Sequence, residues 1–309
     1  MTRLTPRCTG LKSLPITIIQ QTIHHTTSRT VNTYNAAMHY DLHCHTTASD
    51  GQLSPQELLS RAAANGIDCL AITDHDTTAA YHLLDINDQR LQLITGIELS
   101  TQWRGINVHI VGLNFDLNSS AILEAVNHQQ QIRLKRAEKI AEKLAKVGFT
   151  NTLEGATSIA GNSTIGRPHF AQHLVDTGAV SDLKLAFKKY LGSGKAGDVK
   201  QLWPSLRDVV HWIREANGIA VLAHPAKYKL TYTKLGQLCD DFIEVGGLGF
   251  EISSGLQLPA VTRQMARLCQ QKGLLASCGS DFHQPGQQWA ELGRYSALPE
   301  HVETVWQSF

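Results

Sequence analysis

No stretch of this 309-residue chain approaches the ~20 consecutive apolar residues that a membrane-spanning helix needs, so no membrane association is expected. The six cysteines, Cys8, Cys44, Cys69, Cys239, Cys269 and Cys278, form no CxxC pair and no regular framework. That argues against a secreted disulfide scaffold and for a reducing cytoplasm. Acidic residues are missing altogether from positions 1–37, which hold Arg3, Arg7, Lys12, Arg29 and many threonines. Such a start fits an organelle transit peptide or, more simply, a stretch ahead of a true start at Met38. It is expected to be disordered or an artefact of start-site choice. The remaining 24 of the 28 basic residues face 27 acidic ones, so any nucleic-acid binding must use a local patch rather than a net positive charge. There is no internal repeat or low-complexity tract. With 42% hydrophobic and 18% charged residues, the chain reads as a soluble globular protein with no obligate protein partner in evidence.

What the chain does carry is a set of histidine- and acid-rich strings, each following an apolar or β-branched run. They are Asp41-Leu42-His43-Cys44-His45 with Asp50 just after, Thr73-Asp74-His75-Asp76, Ala223-His224-Pro225 and Ser280-Asp281-Phe282-His283. Gly96-Ile97-Glu98 and Val108-His109-Ile110 lie between the second and third. After Met38, strand-like runs at 39–43, 68–73, 92–97, 107–112, 219–223, 249–252 and 274–278 alternate with helical patterns, which argues an α/β fold with a largely parallel sheet. Periodicity alone leaves a barrel and an open doubly wound sheet both standing. Ser54-Pro55-Gln56-Glu57 spells a capping box with proline at the first helical position. Leu58, Leu59, Ala62 and Ala63 form the stripe of that helix, and Asn65-Gly66 ends it. A second helix opens at Ser205 and buries Val209, Val210 and Ile213. Residues 114–203 break the rhythm with a long helical pattern from about Ser119 to Val147 and shorter helices near 167–177 and 181–191. They read as a helical insertion, a cap between a first α/β part at 38–113 and a second at 204–309.

Side chains at the C-terminal ends of barrel strands converge on one pocket. His43 and His45, two apart on a strand, share a face, and Asp50 follows on the loop. On this reading His75 ends the second strand, Glu98 the third, His109 the fourth and His224 the fifth, while Asp281 and His283 repeat the two-residue spacing at the last. Imidazole and carboxylate donors suit Zn, Mn and Fe, and nine of them exceed the needs of one ion. Two or three ions sharing ligands are expected. Metals lower the pKa of bound water to about 7, which makes hydroxide available as a nucleophile, and they clamp the oxygens of a phosphoryl displacement. Cys44 should point away from them. Asp74 is a candidate for orienting a ligand imidazole, Asp76 for a loop cap, and Glu251 for either the support of a ligand side chain or an ordinary barrel salt bridge. Phosphoryl oxygens need further cations. The candidates are Arg167 in Gly166-Arg167-Pro168-His169, Lys195 in Gly192-Ser193-Gly194-Lys195, and Lys227 just after Pro225. His169 is a general acid, a donor to phosphate, or a helix-start histidine. The run Arg133, Lys135, Arg136 and Lys139 reads as a solvated face, or as a guide for an RNA backbone if it lines the entrance.

The four strings resemble the four motifs of the PHP (polymerase and histidinol phosphatase) superfamily over roughly residues 38 to 298. Ile165-Gly166-Arg167-Pro168-His169-Phe170-Ala171, Tyr190-Leu191-Gly192-Ser193-Gly194-Lys195 and Val221-Leu222-Ala223-His224-Pro225 are similar to the branch of 3',5'-nucleoside bisphosphate phosphatases that also act as 5'-to-3' exoribonucleases (RNase AM type). The resemblance implies a distorted (β/α)7 TIM-like barrel. It implies that His43, His45, Glu98 and Asp281 hold one metal, that Asp50, His75 and His283 hold a second, and that Glu98, His109 and His224 hold a third. The family often has histidine where this chain has Asp50, and a carboxylate there tilts the preference toward Mn or Fe rather than Zn. The implied substrates are 3',5'-nucleoside bisphosphates and short 5'-phosphorylated RNA. A histidinol-phosphate-type phosphatase is the rival enzyme, and a catalytically inactive metal-binding module is the rival from another class.

Overall fold

The computed structural model describes residues 38–84, 91–199 and 202–309. The expectation for residues 1–37 lies outside them. Seven strands form one sheet in sequential order: β1 (Tyr40–Cys44), β2 (Cys69–Ile72), β3 (Gln92–Trp103), β4 (Ile106–Leu113), β5 (Ile219–Leu222), β6 (Gly249–Ser254) and β7 (Leu275–Gly279). Each expected strand is present. The first and last meet across a seam: Asp281 N–H donates to the His43 carbonyl at 2.8 Å, and His45 N–H to that of Phe282 at 2.9 Å. Asp41, fully buried on β1, accepts from the backbone N–H groups of Ser280 and Gly293 at 2.8 and 2.7 Å and so ties the same seam. The approach is close enough that a Cβ at Gly279 would fall 2.4 Å from the Cβ of His43. The sheet is therefore a nearly closed, distorted barrel of the expected (β/α)7 kind.

One expectation needs correcting. β4 runs antiparallel to both β3 and β5. Trp103 pairs with Ile106 across Arg104-Gly105, both with positive φ (49° and 79°), the backbone of a tight two-residue hairpin. β3 therefore continues past Glu98 instead of ending there. His109 sits near the start of β4, opposite Ser100, and not at its end. Because the strand is reversed, its first half is what reaches the mouth of the barrel.

Leu42, Ala71, Ile94, Val111 and Val221 fill the barrel interior, and the turn Val305–Ser308 closes its floor, with Trp306 stacked on Tyr40 at 4.4 Å. Each aliphatic side chain so buried contributes roughly 1.5–3 kcal/mol. Helix α1 (Pro55–Ala64) has the expected capping box, Ser54 with Glu57, and packs Leu58, Leu59 and Ala62 outside β1 and β2. A short α2 (Ala79–His82) precedes β3. Between β4 and β5 come α3 (Ser120–Ala145), α4 (Thr152–Ala160), α5 (Arg167–Asp176) and α6 (Leu183–Ala186), which runs into a wide turn at Phe187–Leu191. They gather around their own core of Ile140, Leu144, Ala156, Phe170 and Leu174. α4 was not expected from its Thr- and Gly-containing sequence; Gly155 is there because His173 of α5 lies against it, 2.0 Å from where a Cβ would be. Helices α7 (Leu206–Glu215), α8 (Tyr232–Glu244) and α9 (Pro259–Gln271) cover the outside of the later strands. No helix among the described residues is long and apolar enough to cross a membrane.

Candidate active site

All nine expected donors meet at one end of the barrel. Their ligand atoms fall into overlapping groups: His45, Asp50, His75 and His283; His43, His45 and Asp281; His43, Glu98 and His224; His75, Glu98 and His109. A bulge in β1 between Asp41 and Cys44 re-aims the strand where it reaches the mouth. Leu42 can then fill the interior while His43 and His45 both face the cluster, and Cys44 turns away to donate its S–H to the Ala71 carbonyl. Glu98 is the hub. Its Oε2 lies 3.4, 3.3 and 2.9 Å from ring nitrogens of His43, His45 and His75. Its Oε1 lies 2.8 Å from His109 Nδ1 and 2.9 Å from His224 Nε2. Asp281 Oδ1 stands 3.5 and 3.4 Å from His43 and His45 Nε2, and Asp50 Oδ1 stands 3.5 Å from His283 Nε2. Two of the donors, His224 and Asp281, hold left-handed backbone (φ 29° and 54°), and for His224 this is against the extended preference of a residue before proline.

The donor set fits divalent metal ions. His43 Nε2, both ring nitrogens of His45, His75 Nδ1, Glu98 Oε2 and His224 Nδ1 are buried with no hydrogen-bond partner in the protein. The His75–Glu98 contact, although short, does not have hydrogen-bond geometry. Each buried orphan costs about 1–3 kcal/mol, so a knot of them is hard to sustain unless something binds there. Donors about 2.1 Å from a shared ion stand roughly 3.4 Å apart at tetrahedral angles, close to the spacings found. The carboxyl groups are also in the state that ligation needs. Burial opposes ionisation of Glu98, but His75, His109 and His43 outweigh it and hold the carboxyl well below its usual range. Asp281 and Asp50 are likewise kept ionised by their imidazole neighbours against burial. Burial, with His283 beside it, pushes His45 down to about 3, so it is a neutral donor. Burial also opposes protonation of His283, yet Asp50 and Asp281 raise it to about 10.

Neighbouring groups lock these donors. Glu251 accepts from His43 Nδ1 at 3.1 Å and from the backbone N–H of His224, the supporting role of the two expected of it. Asp74 does not touch an imidazole. It accepts from Thr46 N–H, Thr46 Oγ1 and Ser49 Oγ at 2.8, 2.6 and 2.6 Å, and so fixes the loop that carries Asp50. Asp76 is more than a loop cap: it accepts from Ser100 N–H and Oγ and from Arg133 Nε at 2.7, 2.8 and 2.7 Å.

That pair leads to what the sequence did not show. Arg133 and Arg136 are buried, whereas Lys135 and Lys139, on the other face of α3, are exposed. Together with Arg167 they line a cavity of about 250 Å³ whose opposite wall is Asp50, His75 and His109. Their guanidiniums lie near aromatic rings, Arg133 and Arg136 at 5.5 and 5.2 Å from the centre of Trp203 and Arg167 at 6.0 Å from that of Phe187. Arg136 Nε has no partner. Burial first, then Arg167 and Arg133, lowers Arg136 to about 9, the mark of a buried cation beside like charges. The available signal was spacing: arginines stand on the buried stripe of α3 where apolar residues belong.

The other expected residues divide. Arg167 is in the cavity, and Lys227 reaches the cluster through an ion pair with Asp281. Lys195 is exposed on a loop that closes on itself, Gly194 N–H donating to Asp198 at 2.8 Å. His169 accepts from Gly166 N–H at 3.0 Å and lies 3.4 Å from Ser163 Oγ, the arrangement of a helix-start histidine. Cys44, Cys69, Cys239, Cys269 and Cys278 are free and buried.

A barrel with this mouth defines a metal-dependent phosphoesterase architecture, and the PHP domain family matches residues 41–216: the chain belongs to the PHP family. It is 44% identical over 277 residues to the 5'-3' exoribonuclease Rnm of Escherichia coli K12, covering 88% of this chain and 94% of that protein. It is 39% identical over 269 residues to a 3',5'-nucleoside bisphosphate phosphatase of Chromobacterium violaceum, covering 86% of this chain and 94% of that one. A solved structure of an amidohydrolase from Chromobacterium violaceum, with sulfate bound and no metal, superposes with a TM-score of 0.81 at 38% identity, covering 87% of this chain and 95% of that one.

Proposed function

We propose that the protein removes the 3'-phosphate of 3',5'-nucleoside bisphosphates and, by the same attack on a 3'-phosphoryl centre, trims 5'-phosphorylated RNA from its 5' end. The observation that carries this reading is the shared cavity: one wall is the donor cluster, the other three arginines. A substrate with two phosphates can present one to each wall. His43, His45, Glu98 and Asp281 would hold one ion, Asp50, His75 and His283 a second, and Glu98, His109 and His224 a third, with His45 near enough to the Asp50 group to serve there as well. When bound, such ions supply Lewis acidity and a water acidic enough to react near neutral pH. Manganese is the proposed metal, because Asp50 adds a hard oxygen donor; iron and zinc are the alternatives.

The chain's own residues do the rest. Arg133, fixed by Asp76, and Arg136 and Arg167, backed by Trp203 and Phe187, bind the phosphate that is not cleaved. Holding that remote group orients the 3'-phosphate against the donor cluster, and remote binding energy of this kind can be expressed in the rate. Glu251 keeps the His43 ring in place. A histidinol-phosphate-type monoester would leave the arginine wall without an anion, which is why that rival is set aside. The relatives' names agree with the reading, and the free, buried cysteines fit a cytoplasmic protein.

The test is a substrate panel with manganese-loaded protein: adenosine 3',5'-bisphosphate, AMP, histidinol phosphate and a short 5'-phosphorylated RNA. The bisphosphate and the RNA should be hydrolysed, with AMP accumulating from the former. Preference for histidinol phosphate would overturn the reading, and inactivity on all four would favour a module that binds metal without catalysis.

A further inference from the structure

We infer that a groove on the Asp281–His283 side of the cluster binds the nucleotide that follows the scissile phosphate of an RNA substrate, with Trp289 as the stacking platform for its base. The inference rests on the function proposed above. A second cavity of about 380 Å³ is lined by Lys227, Asp281, His283, Gln287 and Trp289, among others. It shares Asp281 and His283 with the donor cluster and no residue with the arginine cavity, which borders the cluster through Asp50, His75 and His109. The cluster thus separates two cavities. A nucleoside bisphosphate ends at the phosphate that is cleaved, so it fills only the arginine side and the cluster. RNA continues beyond that phosphate and needs space on the far side.

The groove is suited to that occupant. Trp289 is 61% exposed, whereas Trp103, Trp203 and Trp212 are all under 9%. The exposure is not looseness. Trp289 stands in a single helical turn, Gln288–Ala290, whose next residue, Ala290, is buried. Its carbonyl accepts from Leu256 N–H at 2.6 Å, and Gly255, with φ 65°, packs so tightly beneath that a Cβ would fall 2.7 Å from the same carbonyl oxygen. An exposed indole on a backbone so anchored, beside a phosphoesterase centre, presents a π face on which any base can stack, as the trimming proposed above would use. Lys227, half exposed on the groove wall, adds a cation close to the phosphate path. Exposed Leu256 extends the apolar rim.

The experiment compares kcat/KM for a 5'-phosphorylated adenosine pentamer with kcat/KM for adenosine 3',5'-bisphosphate in the manganese-loaded full chain, Trp289→Ala and Trp289→Phe. The ratio of RNA to bisphosphate efficiency should fall on the order of 10-fold in Trp289→Ala, mainly through KM, and stay within about threefold in Trp289→Phe, which keeps an aromatic face. In parallel, binding of a phosphorothioate-linked pentamer should change the protein's tryptophan fluorescence, and Trp289→Phe should remove the part of that change that adenosine 3',5'-bisphosphate, which reaches only the Trp203 side, does not produce. An unchanged ratio, or an equal fall for both substrates, overturns the inference. If the wild-type chain hydrolyses neither substrate, the proposed function fails, and the fluorescence titration decides the groove by itself: no response that depends on Trp289 means no RNA subsite.

Discussion

The two walls of the arginine cavity are made differently. The donor wall comes from backbone that the barrel fixes: strand ends, a hairpin, and loops pinned by Asp74 and Asp76. The arginine wall comes from long side chains on α3 and at the start of α5, held by aromatic neighbours, by the Asp76 pair and by the Ile165 and Leu191 carbonyls, which accept from Arg133 and Arg167. Short side chains on a rigid frame place donor atoms to within tenths of an ångström, as shared ions demand. Long cations on helices give a softer grip, adequate for a phosphate whose bonds do not change. The difference separates chemistry from selectivity, and it can be broken one wall at a time.

The largest effect is expected at the hub. Glu98→Gln removes a carboxylate that faces five imidazoles. Bound metal per chain should drop, and kcat should fall by more than the roughly 10–100-fold typical of losing a residue that only supports a ligand. Retained metal and activity, by elemental analysis and turnover, would refute a metal role for Glu98. Next come the arginines. Arg136→Ala or Arg167→Ala should leave metal content intact and lower kcat/KM for adenosine 3',5'-bisphosphate by about 2–3 kcal/mol, as for a charge-assisted contact. Hydrolysis of p-nitrophenyl phosphate, which has no second phosphate, should change much less. An equal loss on both substrates would move the arginines into the reacting centre.

Glu251→Gln should weaken metal affinity by about 10–100-fold, because His43 loses the partner that fixes its ring. Competition with a chelator measures this; unaltered affinity would leave Glu251 a barrel residue only. The smallest effect concerns protons. In the metal-free protein His283 stands near 10, above its unfolded value of about 6.5. Its proton therefore stabilises the metal-free fold fully below about pH 6.5, and that contribution is lost as pH rises toward 10. Ligation must displace the proton, so manganese uptake at pH 7.5 should release protons, seen as a calorimetric heat that varies with buffer ionisation enthalpy. A heat independent of buffer would exclude His283 from the ligands.

How much of this could be read without coordinates follows from the same contrast. β-Branched and apolar runs mark strands, and a histidine or acid within or just past most of them marks the mouth, so the seven strands and the nine converging residues were legible. Strand direction was not. Nothing in Val108-His109-Ile110 distinguishes parallel from antiparallel, and only the Arg104-Gly105 turn hints at the hairpin. Helical side chains are harder still, since a charged run has the same composition whether it faces water or a cavity. Arg133 and Arg136 looked like Lys135 and Lys139 until three-residue spacing was set against the apolar stripe of α3. Lys195 shows the opposite ambiguity: glycines that would let a backbone approach a phosphate also let a loop fold onto its own Asp198.

The seam between β1 and β7 gives the donor cluster a mechanical role. Those strands come from opposite ends of the described chain, and few backbone bonds join them. His43 and His45 lie on one side of the seam and Asp281 on the other, with their donor atoms grouped together. Any ion they share is a cross-link over the longest loop in the fold, where closure entropy is greatest. Loading would act as a clasp on the barrel, slowing its opening. Chelation would release that clasp, and protection of the Asp281 and His45 amides from hydrogen exchange would be the first to go.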